Sequence, residues 1–179
     1  MARVPYLHRE EAGEQAKPVF DRLETERRMP TPNVFLALAH APDQLDAFLS
    51  YANSLRACKL TPRLRELLIL TVGYATGCDY EIAHHQSHAL AAGLTQEQLE
   101  AVPHFETAEV FSDFECAVMR LAKDFGSGAE VSDEVWRAVA AGLTTEQMVQ
   151  LTLTLTWYTS GALMMRMLRL DLEEGYSVP

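Results

Sequence analysis

The chain has 179 residues, of which 48% are apolar and 22% are charged, and its formal net charge is −10. This composition is typical of a globular protein with one full hydrophobic core. The acidic excess argues against nucleic-acid binding, which requires clustered Lys and Arg. No apolar run approaches the roughly 20 residues that span a bilayer, and the N-terminus lacks a signal-peptide pattern. We therefore expect a cytoplasmic protein with no membrane or nucleic-acid partner.

The first third of the chain is predicted to form helices separated by prolines. A charged amphipathic pattern from Gly13 to Arg28 ends before the prolines at positions 30 and 32, which forbid continuation of a helix. Asn33 is a candidate cap for a short apolar helix that extends to His40. Leucines at helical spacing then predict a third helix over Asp43–Cys58.

The next two predicted helices are joined by a glycine. Thr61 is a favourable N-cap, and Pro62 fits the first helical position, where its missing N–H costs nothing. This helix is nearly apolar all round, as is typical of a helix buried in a core or an interface. It ends at Gly77, and the next helix begins near Cys78 and ends at Gly93.

Repeated capping signals define the remaining helices. Thr95 with Gln98, and Thr144 with Gln147, each have the spacing of a capping box. The segment Leu151–Trp157 alternates like a strand, but we predict a helix because the apolar run continues beyond the length of a typical strand. The predicted helices of this region are 111–125, 134–141 and 145 to about 173. The sequence therefore predicts an all-α fold.

One face of the helix that begins near Cys78 carries four chemically active side chains. At offsets of 0, 3, 7 and 10 these residues form a single stripe: Cys78, Glu81, His85 and His88. His84 lies beside the stripe. The preceding buried helix carries Glu66, whose carboxylate needs a partner, and His85 is the expected one. Cys78 is expected in the first helical turn, where the helix dipole favours the thiolate.

Three interpretations of this constellation remain open. The first is a purely structural hydrogen-bonded pair of Glu66 and His85. The second is a metal site formed by these two residues with Glu81 and His88, although the spacing from Glu81 to His85 is one residue longer than the usual bundle motif. The third is acid–base or thiol chemistry, with His85 as proton shuttle, Glu81 as acid or base, Glu66 as orienting carboxylate and Cys78 as candidate nucleophile.

The other cysteines and the arginines give weaker signals. Three widely spaced cysteines, with no C-x-x-C pair, predict free thiols rather than a zinc site or a disulfide framework. A local basic pocket for an anionic small molecule remains open. The candidate residues for such a pocket are Arg63, Arg65, Arg166 and Arg169.

The stretches Arg65–Leu70, Gly77–His85 and Ala92–Thr95 together resemble the characteristic motif of the carboxymuconolactone decarboxylase family, which also contains the alkylhydroperoxidase D proteins. The resemblance extends more weakly from about Pro32 to Gly175. It implies a helical bundle that assembles as a homo-oligomer, a trimer or hexamer, with a dimer as the alternative. We therefore predict an N-terminal arm and helix over residues 1–31 and a family-like helical domain over residues 32–175.

The motif departs from the peroxidase branch of that family at one position. That branch has a glutamate, then Cys-x-x-Cys, then a histidine, which correspond here to Glu66, Cys78 and His85. Glu81 stands where the second cysteine is expected, and Tyr80 replaces a histidine often found between the two. The dithiol cycle that reduces peroxide cannot run without that cysteine, so the chain is similar to the branch that lacks the pair.

The resemblance implies acid–base chemistry without a cofactor or a metal. The leading hypothesis is a lyase or isomerase that acts on a small carboxylated or lactone-like metabolite. His85 would be the general acid/base, Glu66 its orienting partner, Glu81 a second acid/base and Tyr80 a hydrogen-bond donor. The alternatives are a peroxiredoxin-type antioxidant protein that uses Cys78, and a non-catalytic helical oligomer with a degenerate site.

Overall fold

The computed structural model describes residues 1–27 and 30–178, and every regular element in that part of the chain is helical. The predicted all-α fold class is confirmed. The α-helices of these residues are α1 (Lys17–Glu26), α2 (Asn33–Leu38), α3 (Pro42–Arg56), α4 (Pro62–Thr76), α5 (Asp79–Ala91), α6 (Gln96–Ala101), α7 (Asp113–Gly126), α8 (Asp133–Ala140) and α9 (Thr145–Leu168). None of these helices is both long enough and apolar enough to cross a membrane.

The chain divides into two compact units. The first unit combines residues 1–57 with residues 167–175, and the second combines residues 58–166 with the chain end from Tyr176. The predicted division into an arm of residues 1–31 and a domain of residues 32–175 stays a prediction.

The first unit contains α1, α2 and α3 around its own apolar cluster. The buried side chains of this cluster include Phe20, Leu23, Leu36, Leu45 and Leu49. On the surface of the unit, Arg22 bridges two helices, because its guanidinium binds Glu26 of α1 and Asp46 of α3, each at 2.7 Å.

Helix α4 is the centre of the second unit and packs mainly against α5 and α7. Four of its apolar side chains are fully buried, with 0% exposure: Leu67, Leu68, Ile69 and Val72. Burial of each such side chain contributes roughly 1.5–3 kcal/mol of hydrophobic free energy. Helix α4 is therefore a firmly packed support for the polar residue that it carries, Glu66.

The capping signals at Thr61, Thr95 and Thr144 are confirmed. The Thr61 side chain accepts a hydrogen bond from the Leu64 amide at 3.2 Å, and Pro62 is the first residue of α4. Both predicted capping boxes form: at the first, the Gln98 side chain accepts a hydrogen bond from the Thr95 amide at 3.2 Å. The segment Leu151–Trp157 is helical and lies within α9.

Several predicted helix boundaries were wrong. Helix α1 begins at Lys17 rather than Gly13, which keeps Pro18 in the first turn instead of the helix interior; the predicted end at Arg28 lies outside the described residues. Asn33 is the first residue of α2 rather than its cap, and its side-chain amide donates to the Asp171 carbonyl at 3.0 Å.

Small boundary shifts affect the other helices as well. Helix α3 ends at Arg56, two residues before the predicted end at Cys58, and α9 ends at Leu168 rather than near Glu173. Arg169, with a φ of 52°, has the left-handed conformation that ends a helix.

Candidate active site

Two glycines determine how α4 and α5 meet. Gly77 follows α4 with a φ of 65°, in the left-handed region that favours glycine. The Cys78 amide then donates to the Gly73 carbonyl at 2.8 Å, which turns the chain back along α4. A Cβ added to Gly73 would lie 2.8 Å from Cγ1 of Ile82 on α5, so glycine permits this close approach. The two helices therefore present their polar residues to each other.

The predicted partnership of Glu66 and His85 is present. Nδ1 of His85 lies 2.7 Å from Oε2 of Glu66, and the two side chains are 14% and 4% exposed. The other carboxylate oxygen of Glu66 is 3.3 Å from Nε of Arg65. Burial raises the pKa of Glu66, but the hydrogen bond and charge of His85, with the charges of Arg65 and His88, outweigh it and leave the pKa below its ordinary value.

The low pKa of Glu66 fixes the direction of this hydrogen bond. Because Glu66 is an anionic acceptor, Nδ1 of His85 carries a proton and donates it. In a neutral imidazole the other nitrogen, Nε2, is then unprotonated and available as a base. Glu66 therefore orients the ring and selects its tautomer.

Glu81 lies on the opposite side of the same imidazole. Its Oε1 is 3.4 Å from Nε2 of His85, and the residue is only 5% exposed. This buried oxygen accepts no hydrogen bond from any of the described residues. Burial raises the pKa of Glu81 to about 7, with the charge of Glu66 adding to the effect and the charge of His85 opposing it. Near neutral pH, Glu81 can therefore give or take a proton beside Nε2.

The thiol of Cys78 does not have the predicted thiolate character. Cys78 is the N-cap residue of α5 rather than part of its first turn, and it is 1% exposed. Burial raises its pKa to about 11, with a further rise from the charge of Glu81. The amides of Glu81 and Tyr80 and the charge of Arg166 lower the pKa, as expected at a helix start, but they do not offset burial.

Aromatic rings surround the polar centre on two sides. The ring of Tyr158, from α9, meets His85 edge-on with 5.3 Å between centroids, and the His88 ring lies 5.4 Å from His85. On another face of α5, His84 stacks between Tyr80 at 4.4 Å and Tyr176 at 4.1 Å.

The sequence pattern anticipates only part of this aromatic shell. The predicted stripe of α5 includes His88, and His84 is separate from the stripe, as expected. The role of Tyr80 as a hydrogen-bond donor stays a prediction. Nothing local in the sequence indicates Tyr176, because it reaches His84 from 92 positions along the chain.

Three of the four arginines proposed for a basic pocket bind acceptors within the second unit. Arg63 binds Glu115 at 2.7 Å, Arg65 binds Glu66, and Arg166 donates to the carbonyl of Thr76 at the end of α4. Each of these cations is therefore matched by an acceptor of the protein itself.

The geometry does not favour the alternative of a metal site. Among residues 1–27 and 30–178, no group of three or more His, Cys, Asp or Glu side chains is arranged to hold a metal ion. Glu66 and Glu81 approach different nitrogens of the same His85 ring, so the carboxylates do not converge on a shared point. We call these three residues the relay: Glu66 is hydrogen-bonded to Nδ1 of His85, and Oε1 of Glu81 lies 3.4 Å from Nε2 of the same ring.

A cavity of about 370 Å³ lies elsewhere in the second unit, near the starts of α4, α7 and α9. The relay residues Glu66, Glu81 and His85 do not line it. Its walls are formed by Leu60, Thr61, Arg63, Leu64, Ser112, Phe114, Glu115, Gly142, Leu143 and Gln147.

Comparison with known sequences identifies the segment that contains the relay. Residues 42–124 match the sequence profile of the carboxymuconolactone decarboxylase family, which confirms the resemblance found in the motif. No curated protein matches the chain in sequence at a significant level.

Solved structures share the fold at low sequence identity. A cysteine-to-alanine variant of the debrominase Bmp8, in complex with 2,3,4-tribromopyrrole, is 20% identical with a TM-score of 0.82, over 97% of this chain and 93% of that chain. An alkylhydroperoxidase AhpD core from Ralstonia eutropha JMP134, described as an uncharacterized peroxidase-related protein, is 20% identical with a TM-score of 0.80, over 97% and 93%. A peroxidase-related protein from Silicibacter sp. TM1040 is 16% identical with a TM-score of 0.79, over 97% and 92%.

Proposed function

We propose, on the premise that residues 42–124 belong to the carboxymuconolactone decarboxylase family, that this protein is a cofactor-independent lyase or isomerase. Its substrate would be a small lactone-like or carboxylated metabolite. The observation that carries the proposal is the relay in which Glu66 and Glu81 address the two nitrogens of His85, at 2.7 and 3.4 Å. Paired carboxylates whose pKa values are pushed apart, with a histidine between them, are suited to acid–base catalysis.

The relay assigns a role to each residue. Nε2 of neutral His85 removes a proton from a carbon next to the substrate carbonyl, and the electron pair of that C–H bond forms the enolate. The imidazolium is stabilised by anionic Glu66 and returns the proton to a carbon of the enolate, which completes an isomerisation. In a decarboxylation, His85 starts as the imidazolium: carbon dioxide leaves with formation of the enolate, the Nε2 proton moves to a carbon of the enolate, and a proton from solvent then restores the imidazolium. Glu81 exchanges protons with Nε2 between turnovers.

Enolisation provides an assay before the natural substrate is known. Small enolisable lactones and keto acids are incubated with the protein in D₂O, and exchange of the C–H next to the carbonyl is followed by NMR. We expect enzyme-dependent exchange that falls by at least about 10²-fold in His85→Gln, the scale of general acid–base catalysis. The side-chain amide introduced by this substitution can still donate to Glu66, so the fold is preserved.

Glu97→Gln, at an exposed position of α6, is the control and should retain full exchange. Exchange that survives in His85→Gln would contradict the assignment of His85 as the base.

A peroxidase that uses Cys78 is the alternative, and the names of two structural relatives support it. Two observations weigh against it: the pKa of Cys78 is raised to about 11, and Glu81 occupies the position of the second motif cysteine. The alternative predicts sulfenic acid on Cys78 after peroxide treatment, detectable by dimedone labelling. A non-catalytic oligomer would show neither labelling nor C–H exchange.

We also propose that the protein is a homo-oligomer, because α9 leaves an apolar face uncovered. Along this face in the second unit, Val149, Leu153 and Leu163 are 54%, 41% and 49% exposed. Contiguous exposed apolar surface commonly marks an interaction site. Leu153 and Leu163 are symmetric about residue 158, so two antiparallel copies would match Leu153 with Leu163.

Light scattering after size exclusion tests this interface. Leu153→Lys places a charge on the face and should lower the molar mass, whereas Glu97→Gln should not. An unchanged mass in Leu153→Lys would show that the face is not an interface.

The remaining partner predictions stay proposals. We propose a small-molecule substrate, no nucleic-acid or membrane partner, and a cytoplasmic location. The three free cysteines Cys58, Cys78 and Cys116 support a reducing compartment.

A further inference from the structure

We propose that the ligand of the Glu66–His85–Glu81 relay is a neutral weak acid that donates an O–H or N–H hydrogen bond to Oε1 of Glu81, rather than a carboxylate anion. The class includes enols, phenol-like hydroxyls and ring N–H groups. This inference rests on the proposed function, because it selects, among the lactone-like and carboxylated candidates, the neutral members that carry an enol, a hydroxyl or a ring N–H.

The first observation is the buried acceptor of Glu81. Its Oε1 accepts no hydrogen bond within the described parts of the chain, although the residue is 5% exposed. Buried polar atoms in folded proteins are nearly always paired, so this oxygen points to a donor supplied by a bound molecule. Above its pKa of about 7, Glu81 is an ionised carboxylate that can only accept, so the molecule that binds there must present a hydrogen.

The second observation is the position of this oxygen relative to Nε2 of His85. At 3.4 Å, the two atoms are farther apart than a well-formed N–H···O bond, which spans 2.7–3.2 Å. A single polar atom within hydrogen-bond distance of both would bridge them. A hydroxyl or ring N–H that donates to Oε1 is then also in contact with the atom that exchanges its proton.

The third observation is the local charge. Two carboxylates flank one imidazole, and the nearby arginine, Arg65, is already bound to Glu66. Arg63 and Arg166 are likewise held by Glu115 and the Thr76 carbonyl. A carboxylate ligand would approach two negative groups in a partly buried site, where these three arginines already bind acceptors of the protein. A neutral donor avoids this repulsion.

Two of the side chains that contact the His85 ring are themselves rings. Tyr158 meets the His85 ring edge-on at 5.3 Å, and the His88 ring is tilted towards it at 5.4 Å. Aromatic side chains bind planar rings through offset-stacked or edge-to-face contacts. The probes below are therefore single aromatic rings.

Three probes of equal ring size test the inference. Phenol is a neutral donor, anisole has the same ring without the donor, and benzoate is a carboxylate anion. Binding is measured at pH 8, above the pKa of about 7 of Glu81, by NMR of protein labelled with ¹⁵N-histidine, from the signals of the His85 ring. We expect phenol to bind about tenfold more tightly than anisole or benzoate, a ratio that one hydrogen bond to a charged group can supply.

Two variants connect the preference to Glu81. In Glu81→Leu the acceptor is absent, and phenol and anisole should bind equally. Glu81→Gln retains an oxygen acceptor without the charge, so it should keep a smaller preference and provides the test if the leucine variant does not fold. Glu97→Gln is the control and should retain the full ratio.

Several results would overturn the inference. One is that benzoate binds at least as tightly as phenol. Another is that the ratio of phenol affinity to anisole affinity is unchanged in both Glu81 variants. The third is that phenol shows no saturable binding. An unchanged ratio would show that Glu81 does not accept the hydrogen bond of phenol.

The outcome is separable from that of the proposed function. Selective phenol binding without C–H exchange on any substrate would refute the lyase or isomerase and leave the ligand class intact. C–H exchange seen only with carboxylates would refute the ligand class and leave the enzyme.

Discussion

The carboxyl group of Glu81 should make the stability of the protein depend on pH in a predictable direction. Its ordinary pKa is 4.5, and burial raises the pKa in the folded chain to about 7. Each pH unit of difference corresponds to about 1.4 kcal/mol, so the full difference corresponds to about 3 kcal/mol of folding free energy.

The sign follows from which state holds the proton. Between pH 4.5 and about 7, the folded chain keeps Glu81 protonated while the unfolded chain releases the proton. The favourable contribution is therefore fully present below pH 4.5 and is lost as the pH rises through 7. Replacement by Gln, which does not titrate, should remove this dependence.

Urea denaturation of the wild type and Glu81→Gln at pH values from 5 to 8 measures the effect. The difference in unfolding free energy between the two proteins should change by about 3 kcal/mol across this range, in favour of the variant at high pH. When the unfolding free energy of the wild type is subtracted from that of the variant, groups that do not interact with Glu81 contribute equally and cancel. His85 interacts with Glu81, so its contribution remains in the difference. Glu97→Gln should give a profile parallel to the wild type. A parallel profile for Glu81→Gln would refute the raised pKa.

Two further predictions concern the junction of α4 and α5. Alkylation of Cys78 by iodoacetamide, followed by mass spectrometry, should be slow at pH 7 and accelerate towards pH 11, because its pKa is about 11; fast labelling at pH 7 would contradict this. Gly77→Ala should lower the unfolding free energy by about 1–2 kcal/mol, because its φ of 65° disfavours a side chain. Gly13 has open space around it, so Gly13→Ala should leave the unfolding free energy nearly unchanged. If both substitutions lower the unfolding free energy equally, the left-handed conformation of Gly77 is not the cause.

The helix junction and the central pair of the site could be predicted because their signals are local. Thr61 and Pro62 start α4, and Gly77 ends it, each through the chemistry of its own residue type. Once the two helices are known to turn back at Gly77, a buried glutamate on one and a histidine on the other are expected to meet. Glu66 and His85 do so at 2.7 Å.

Properties that depend on distant packing could not be predicted in the same way. The start of a helix predicts a lowered pKa for Cys78, but the surrounding side chains bury the thiol and reverse the sign. The stack of Tyr176 on His84 brings together residues from distant parts of the chain, and no local pattern encodes it. The unpaired oxygen of Glu81 likewise becomes visible only when all neighbouring donors are placed.

The position of Glu81 has an evolutionary consequence. Glu66 and His85 form their hydrogen bond through Nδ1, without Glu81. The side chain at position 81 lies beside the other ring nitrogen, Nε2. In the peroxidase branch, from which the motif departs at this position, a cysteine is expected there. Because other residues form the junction and the Glu66–His85 pair, exchange of a carboxylate for a thiol at position 81 would leave the two helices as they are.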